Sequence, residues 1–307
     1  MLKKDFNFLL ELLRQNAGWQ FNEEQYFIIE KKISNFMRGK NYNSVEDLVA
    51  ELKIGKRQLI EQVVEALAFS DTSFFRDAAV FDGFARIALP KLKDKCRARK
   101  QLDVWSMGCS TGQEAYSIAM VFDKLKKEFA NWQINIMASD MSAVALNKAQ
   151  RGSYSNFEIQ TGLNARDILQ YFENRDEQWV AREDLRKKID FRRYNMLDEA
   201  IVSSKFEVVF CRNVLRYFAP EHQDMILQRI SQIQPQGGYL YLGIDEVVPA
   251  VEKYYYRPND NSGAYVAIGA QKQGIKVGNI SISAPAQSEA KDGEVQMPSF
   301  TRPKNLM

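Results

Sequence analysis

From about residue 102 onward, short apolar runs alternate with segments of helical length. "LDVWSM" is followed by a helix from about Gln113 to Phe129, "INIMASD" by a Ser142-capped helix to Arg151, and "FEVVFCRNV" by a helix over 220–233. Strands joined through helices of this length lie parallel, with the helices as crossovers. This confines the region to an α/β fold with a mostly parallel sheet. "GGYLYLG" and "GAYVAIG" come last, without a long helix between them, and predict an antiparallel edge. Between Gly152 and Asn195 the alternation breaks. "NARDILQYF" reads as a short helix capped by Asn164, and "QWVARE" and "KKIDFRRYN" as short strands. The segment is longer than a usual connection, so 153–190 is expected to be a small inserted β-subdomain with a role of its own.

Residues 1–90 carry helical periodicity instead. Leu2, Phe6, Leu9 and Leu13 repeat at helical spacing, as do Phe27, Ile29, Ile33 and Phe36. Ser44 with Asp47 three residues on resembles a capping box before Leu48, Val49 and Leu52. The expectation is an N-terminal helical domain with a linker to about 101. The α/β domain then spans 102–270. The tail, 271–307, is rich in Gly, Ser, Ala, Pro and charge, and is expected to be disordered.

Composition excludes several classes. The net charge of +3 does not imply a nucleic-acid partner. The basic run "KLKDKCRARK" reads as a solvated linker or helix end, with an electrostatic contact as the lesser alternative. Three cysteines without paired spacing argue against a disulfide framework and a zinc site, so no metal is expected. A single histidine disfavours Ser-His-Asp, Cys-His and multi-histidine metal chemistry. The opening "MLKKDFNFLLELLRQ" is not read as a secretion signal, and no apolar run nears the roughly 20 residues of a bilayer span. The expected location is cytoplasmic, without membrane insertion.

In open α/β sheets, ligands bind beyond the carboxyl ends of the strands. Three strand ends carry suggestive residues. Gly108 and Gly112 would let backbone approach a ligand closely, with Glu114 opening the next helix; they could also serve turn geometry alone. Asp140 could accept hydrogen bonds from both hydroxyls of a ribose, or cap the next helix, a task Ser142 already fills. Asn213 suits an adenine edge or an amino-acid head group. The glycine spacing fits no diphosphate-binding loop. Upstream, Thr72 and Arg76 flank Phe74 and Phe75; the phenylalanines suit a core, whereas the guanidinium calls for a carboxylate.

"TSFFRD", "WSMGCSTGQEAYSIAM", "ASDMSAVALNKAQRGSY", "FCRNVLRYF" and "GGYLYLG" occur in this order. Together they resemble the chemotaxis-receptor methyltransferases, over about residues 1–270. The resemblance implies a Rossmann-like class I methyltransferase sheet and the cofactor S-adenosylmethionine, converted to S-adenosylhomocysteine. It implies methylation of glutamate side chains on the cytoplasmic domain of methyl-accepting receptors. Ser70, Thr72 and Arg76 would approach the methionine part or the transfer centre, and Glu114 the cofactor. Asp140 would bind the ribose, Asn195 and Met196 would flank the adenine, and Asn213 and Val214 would line the adenosine and methionine side. Tyr217 would point to the transfer centre. The 153–190 subdomain matches an element that, in some members, docks a receptor's C-terminal peptide.

The chain departs from the family pattern at Ser70 (usually Asn), Ala115 (usually Pro), Arg216 (commonly apolar) and Ile244 (a histidine in "GHSE"-like ends). The implied reaction is an in-line displacement by an already ionised carboxylate, which needs no strong base and suits a chain with one histidine. Arg76 or Tyr217 would orient the incoming carboxylate, or Arg76 would hold the cofactor's own. The rival reading is a cofactor-binding regulator or scaffold of weak or absent turnover. A nicotinamide oxidoreductase lacks its glycine loop here.

Overall fold

The computed structural model describes residues 1–21, 23–40, 42–198 and 205–269. The expected disordered tail lies outside them. Four helices come first: α1 (Lys3–Ala17), α2 (Tyr26–Arg38), α3 (Val45–Lys53) and α4 (Arg57–Leu67). Ser44 caps α3, its hydroxyl accepting the Asp47 N–H at 3.1 Å. Next come α5 (Ala78–Gly83), a π-helical turn at Phe84–Ala88, and α6 (Leu89–Lys95).

The sheet region follows as β1 (Gln101–Met107), α7 (Gln113–Lys124), β2 (Gln133–Asp140) and α8 (Ala143–Arg151). Then come β3 (Ser153–Tyr154), α9 (Asn156–Gln160), α10 (Ala165–Tyr171), β4 (Phe172–Arg175), β5 (Gln178–Ala181) and α11 (Glu183–Arg186). The chain closes with β6 (Ile189–Arg193), β7 (Val208–Phe210), α12 (Pro220–Ile233), β8 (Tyr239–Tyr241), β9 (Tyr255–Tyr256) and β10 (Tyr265–Ala267).

The main sheet runs β6-β2-β1-β7-β8-β10-β9. It is parallel from β6 to β8, and β10 is antiparallel to both its neighbours, which is the expected antiparallel edge. A separate three-stranded antiparallel sheet, β3-β5-β4, lies in the inserted segment. "KKIDFRRYN" supplies β6, which pairs with β2 in the main sheet and not with the small one. The small sheet takes β3 and β4 as its other strands.

Side-chain alternation along the strands divides the core. Val104, Ile136, Val208, Phe210 and Tyr241 face one side, where α5, α6 and α7 pack with Phe81, Phe84 and Leu89. Trp105, Met107, Val209 and Leu240 face the other, in one continuous apolar cluster with α12 and α1–α4. Helices α5 and α6 therefore pack on the sheet beside α7, on the face away from the α1–α4 bundle. The basic run closes partly on the protein itself: Lys91 pairs with Asp260 at 2.6 Å, and Arg99 with the buried Glu207.

Candidate active site

Strand order reverses between β1 and β7, which leaves a crevice at their carboxyl ends. A cleft open to solvent occupies this place. Gly108, Glu114, Asp140, Asn213 and Val214 line it, joined by Thr72 and Arg76 from upstream. Asn195, Met196 and Tyr217 complete the set of sequence-predicted residues found there. Ser70 is not among them. It lines a separate surface hollow with Lys32, Ser142 and Lys148. The 68–73 segment carries no regular structure, and its Asp71, Thr72 and Ser73 reach the cleft in place of Ser70.

The two glycines of the β1–α7 turn have different tasks. Gly108 has φ +74°, and a Cβ there would lie 2.7 Å from Val214 Cγ2 and 3.2 Å from Met196 Cε, in the space of the cleft wall. Gly112 has φ +96°, and a Cβ there would meet Ala149 Cβ at 2.8 Å. Gly112 thus serves the turn and the close approach of α7 to α8, whereas Gly108 keeps the cleft open. The N–H groups of Gly108 and Cys109 both donate to the Ser139 carbonyl, at 2.7 and 2.9 Å, and this fixes the end of β1 against β2.

Asp140 is held by the backbone. Its Oδ2 accepts the Ser110 N–H at 2.8 Å and its Oδ1 the Ser142 N–H at 2.9 Å. The helix cap itself is Ser142, whose hydroxyl accepts the Ala145 N–H at 3.0 Å. Each carboxylate oxygen of Asp140 keeps a lone pair for a ligand hydroxyl. Burial pushes its carboxyl above the usual range, against the pull of the Ser142, Ser110 and Met141 N–H groups.

Glu114 belongs to a charged network. Its Oε1 accepts from Ser106 Oγ at 2.7 Å and its Oε2 from Arg212 Nη1 at 3.2 Å. The Arg212 Nη2 donates to Asp77 Oδ2 at 2.5 Å and to the Arg76 carbonyl at 2.8 Å. Burial raises the Glu114 carboxyl above its ordinary value, opposed by Arg212, Ser106 and Arg76. Arg76 sits between two residues in left-handed conformation, Phe75 (φ 46°) and Asp77 (φ 58°). Such backbone costs on the order of 1–3 kcal/mol per residue and is held here by the Arg212 bridge. The Arg76 guanidinium meets the carboxylate its position called for: Nη2 lies 3.3 Å from Asp71 Oδ2, and Nη1 donates to the Asp71 carbonyl at 2.8 Å.

The opposite wall is the segment after β7. Asn213 has φ 59°, and its Oδ1 is buried without a partner among the described residues. A buried acceptor left open costs stability and is a place for a ligand donor. The conformation is pinned by Glu246, whose Oε2 accepts the N–H groups of Asn213 (2.7 Å) and Gly243 (2.9 Å) and whose Oε1 accepts that of Arg216 (2.9 Å). The Tyr217 ring stacks on Phe69 at 5.1 Å and meets Phe21 edge-on at 5.9 Å. Its carbonyl accepts the Gln20 N–H at 2.7 Å, beside a bridge between Trp19 and Phe218. Burial raises its hydroxyl pKa. Asn195 is buried, with Oδ1 accepting the Leu197 N–H at 3.1 Å, and Met196 packs near Gly108.

Sequence reasoning passed over Arg212 and Glu246. Arg212 lies within "FCRNVLRYF", and Glu246 three residues beyond the end of "GGYLYLG". A charge at the end of an apolar strand, which must be paired if buried, was the available signal for Arg212. Cys109 and Cys211 are buried, and burial pushes both thiols well up, so neither is a thiolate nucleophile.

Two family models match the chain. "CheR methyltransferase, all-alpha domain" covers residues 4–68, and "CheR methyltransferase, SAM binding domain" covers residues 70–262. Chemotaxis protein methyltransferase 1 of Pseudomonas aeruginosa is 31% identical over 255 residues, spanning 82% of this chain and 93% of that protein. A chemotaxis protein methyltransferase of Pseudomonas putida is 30% identical over 256 residues, again 82% and 93%. One of Vibrio parahaemolyticus is 28% identical over 264 residues, or 85% and 94%. With the helical region and the S-adenosylmethionine-binding region both matched, the chain belongs to the CheR methyltransferase family, the protein-glutamate O-methyltransferases of chemotaxis.

Proposed function

We propose that this cleft binds S-adenosylmethionine and directs its methyl group to glutamate carboxylates on the cytoplasmic domain of methyl-accepting receptors, in the cytoplasm. In this reading 102–270 is the cofactor-binding unit and 1–90 the helical one. The observation that carries the proposal is the meeting, in one cleft at the β1/β7 crevice, of Asp140 and Asn213 with Arg76 and Tyr217.

The residues present fit the cofactor. Asp140 has lone pairs for two hydroxyls, the Asn213 Oδ1 is an open acceptor, and Gly108 leaves room that a Cβ would fill. Asp140 takes the ribose, Asn195 and Met196 flank the adenine, and Val214 lies against the adenosine. Thr72, Asn213 and Glu114 serve the methionine part, where an ionised Glu114 suits an ammonium. S-adenosylmethionine, when bound, supplies an activated methyl group on a positively charged sulfur.

The chain's own contribution is alignment. The accepting glutamate is ionised near neutral pH, so no base is needed to activate it. Arg76 and Tyr217 orient that carboxylate, and the Phe69–Tyr217 stack gives one side of the cleft an aromatic wall. Near-attack positioning of this kind contributes up to about 7–11 kcal/mol. The small sheet is the proposed dock for a receptor C-terminal peptide: β4 pairs only with β5 and leaves an edge free among the described residues.

Incubation with methyl-labelled S-adenosylmethionine and a receptor cytoplasmic domain tests the proposal. Alkali-labile methyl incorporation is expected, with a loss of about 100-fold or more for Arg76→Ala. Cofactor binding without transfer to any receptor of the same cell would favour the regulator reading instead.

A further inference from the structure

The Tyr217 hydroxyl stands in the field of four charged side chains: Arg216, Asp71, Arg76 and Glu246. Three of them are committed. Arg76 and Asp71 hold each other at 3.3 Å. Glu246 is occupied by the backbone N–H groups of Asn213, Gly243 and Arg216. Arg216 is exposed at the cleft, and among the described residues its side chain makes no ion pair and no hydrogen bond.

Its backbone, by contrast, is fixed. The Arg216 N–H donates to Glu246 Oε1 at 2.9 Å, within the helical turn Leu215–Tyr217. The residues that follow are tied to the N-terminal bundle through Gln20 and the Trp19–Phe218 bridge. A guanidinium is always charged and presents a planar fork of donors that matches a carboxylate. Placed on a rigid turn at the mouth of a cleft and left unpaired, it has the chemistry of a receptor for an anionic group.

The position between Arg76 and Tyr217 is the one assigned to the accepting glutamate. Arg216 lines the same cleft and is more exposed than either. We infer that Arg216 is a specificity-determining residue that pairs with a second carboxylate of the substrate protein, beside the glutamate that is methylated. This rests on the proposed function. It makes the preferred substrate surface one with clustered acids.

The test is equilibrium binding of a receptor cytoplasmic domain to the full chain loaded with S-adenosylhomocysteine, which involves no turnover. Arg216→Leu is expected to weaken binding about five- to tenfold at low salt, and Arg216→Lys to restore part of it. The difference between wild type and Arg216→Leu shrinks as ionic strength rises. It also vanishes on a receptor whose acids flanking the accepting glutamate are changed to glutamine. Thermal unfolding of Arg216→Leu at the wild-type temperature confirms that the fold is kept. Unchanged receptor binding by Arg216→Leu overturns the inference. So does a fall in S-adenosylhomocysteine affinity, which would assign the guanidinium to the cofactor. Labelled methyl transfer by the wild type, measured separately, reads the proposed function on its own, so the two can fail independently.

Discussion

At the scale of single residues, the most instructive side chains are charges that the fold buries. The Arg212 side chain is 2% exposed and holds Glu114, Asp77 and the Arg76 carbonyl together. Removing one partner from such a group leaves the others uncompensated, at a cost of about 3–5 kcal/mol. Arg212→Gln is therefore expected to lower the melting temperature, and to do so in a pH-dependent way. The Glu114 carboxyl titrates above its ordinary value in the fold, because burial opposes its charge. Between the unfolded and folded pKa values the folded state holds more protons, so stability falls as pH rises through that window. Without Arg212 the folded value moves higher, so melting curves of Arg212→Gln should lose stability over a wider pH range than the wild type. A parallel loss at every pH would contradict the coupling. The two glycines make a second pair. Gly108→Ala is expected to cost about 1–2 kcal/mol from its left-handed backbone and to weaken cofactor binding as well. Gly112→Ala should act on stability through the α7–α8 contact. Calorimetric titration beside thermal melts separates the two effects.

At the scale of elements, the site depends on how the segment after β7 is held. Glu246 gathers three backbone N–H groups, two of them from residues 30 and 33 positions away in the chain. Glu246→Gln replaces an acceptor by a donor among those N–H groups. Amide hydrogen exchange at Asn213, Arg216 and Gly243 is expected to speed up by about tenfold or more, with weaker cofactor binding. Protection equal to the wild type would show that the turn holds itself. The same elements show what could be read from sequence. Ser142, Asn164 and the 220–233 periodicity announced α8, α10 and α12 because caps and helical faces are local signals. Asp140 and Asn213 stand out in the sequence because they end predicted strands, and both line the cleft. "FEVVFCRNV" predicts a longer strand than the structure holds: β7 is Val208–Phe210 only, and Asn213 takes a left-handed conformation that leaves the strand. β3 has only two residues, and β4 follows α10 without a break, so neither carries a local pattern apart from its pairing with β5. Arg212 and Glu246 escaped notice for a similar reason, as their partners lie far away in the chain. Ser70 was carried over by resemblance alone, and no local rule fixes which way an extended segment turns its side chains.

At the scale of the whole molecule, the helical bundle is part of the site. It shares one apolar cluster with α12 and a face of the sheet, and Trp19 and Phe69 line the cleft itself. A chain without residues 1–68 would expose that face and free the Tyr217 segment from Gln20. It is expected to unfold at a lower temperature and to bind S-adenosylhomocysteine about tenfold or more weakly, readable by calorimetry. The proposed cofactor position, at the β1/β7 crevice, sets the ribose on Asp140. Titration of S-adenosylhomocysteine into the wild type and Asp140→Ala tests it most directly. Loss of charge-assisted bonds at about 1.5–3 kcal/mol predicts affinity lower by about 10- to 100-fold, with the fold intact by circular dichroism. Equal affinity of the two proteins would rule out a ribose held by Asp140.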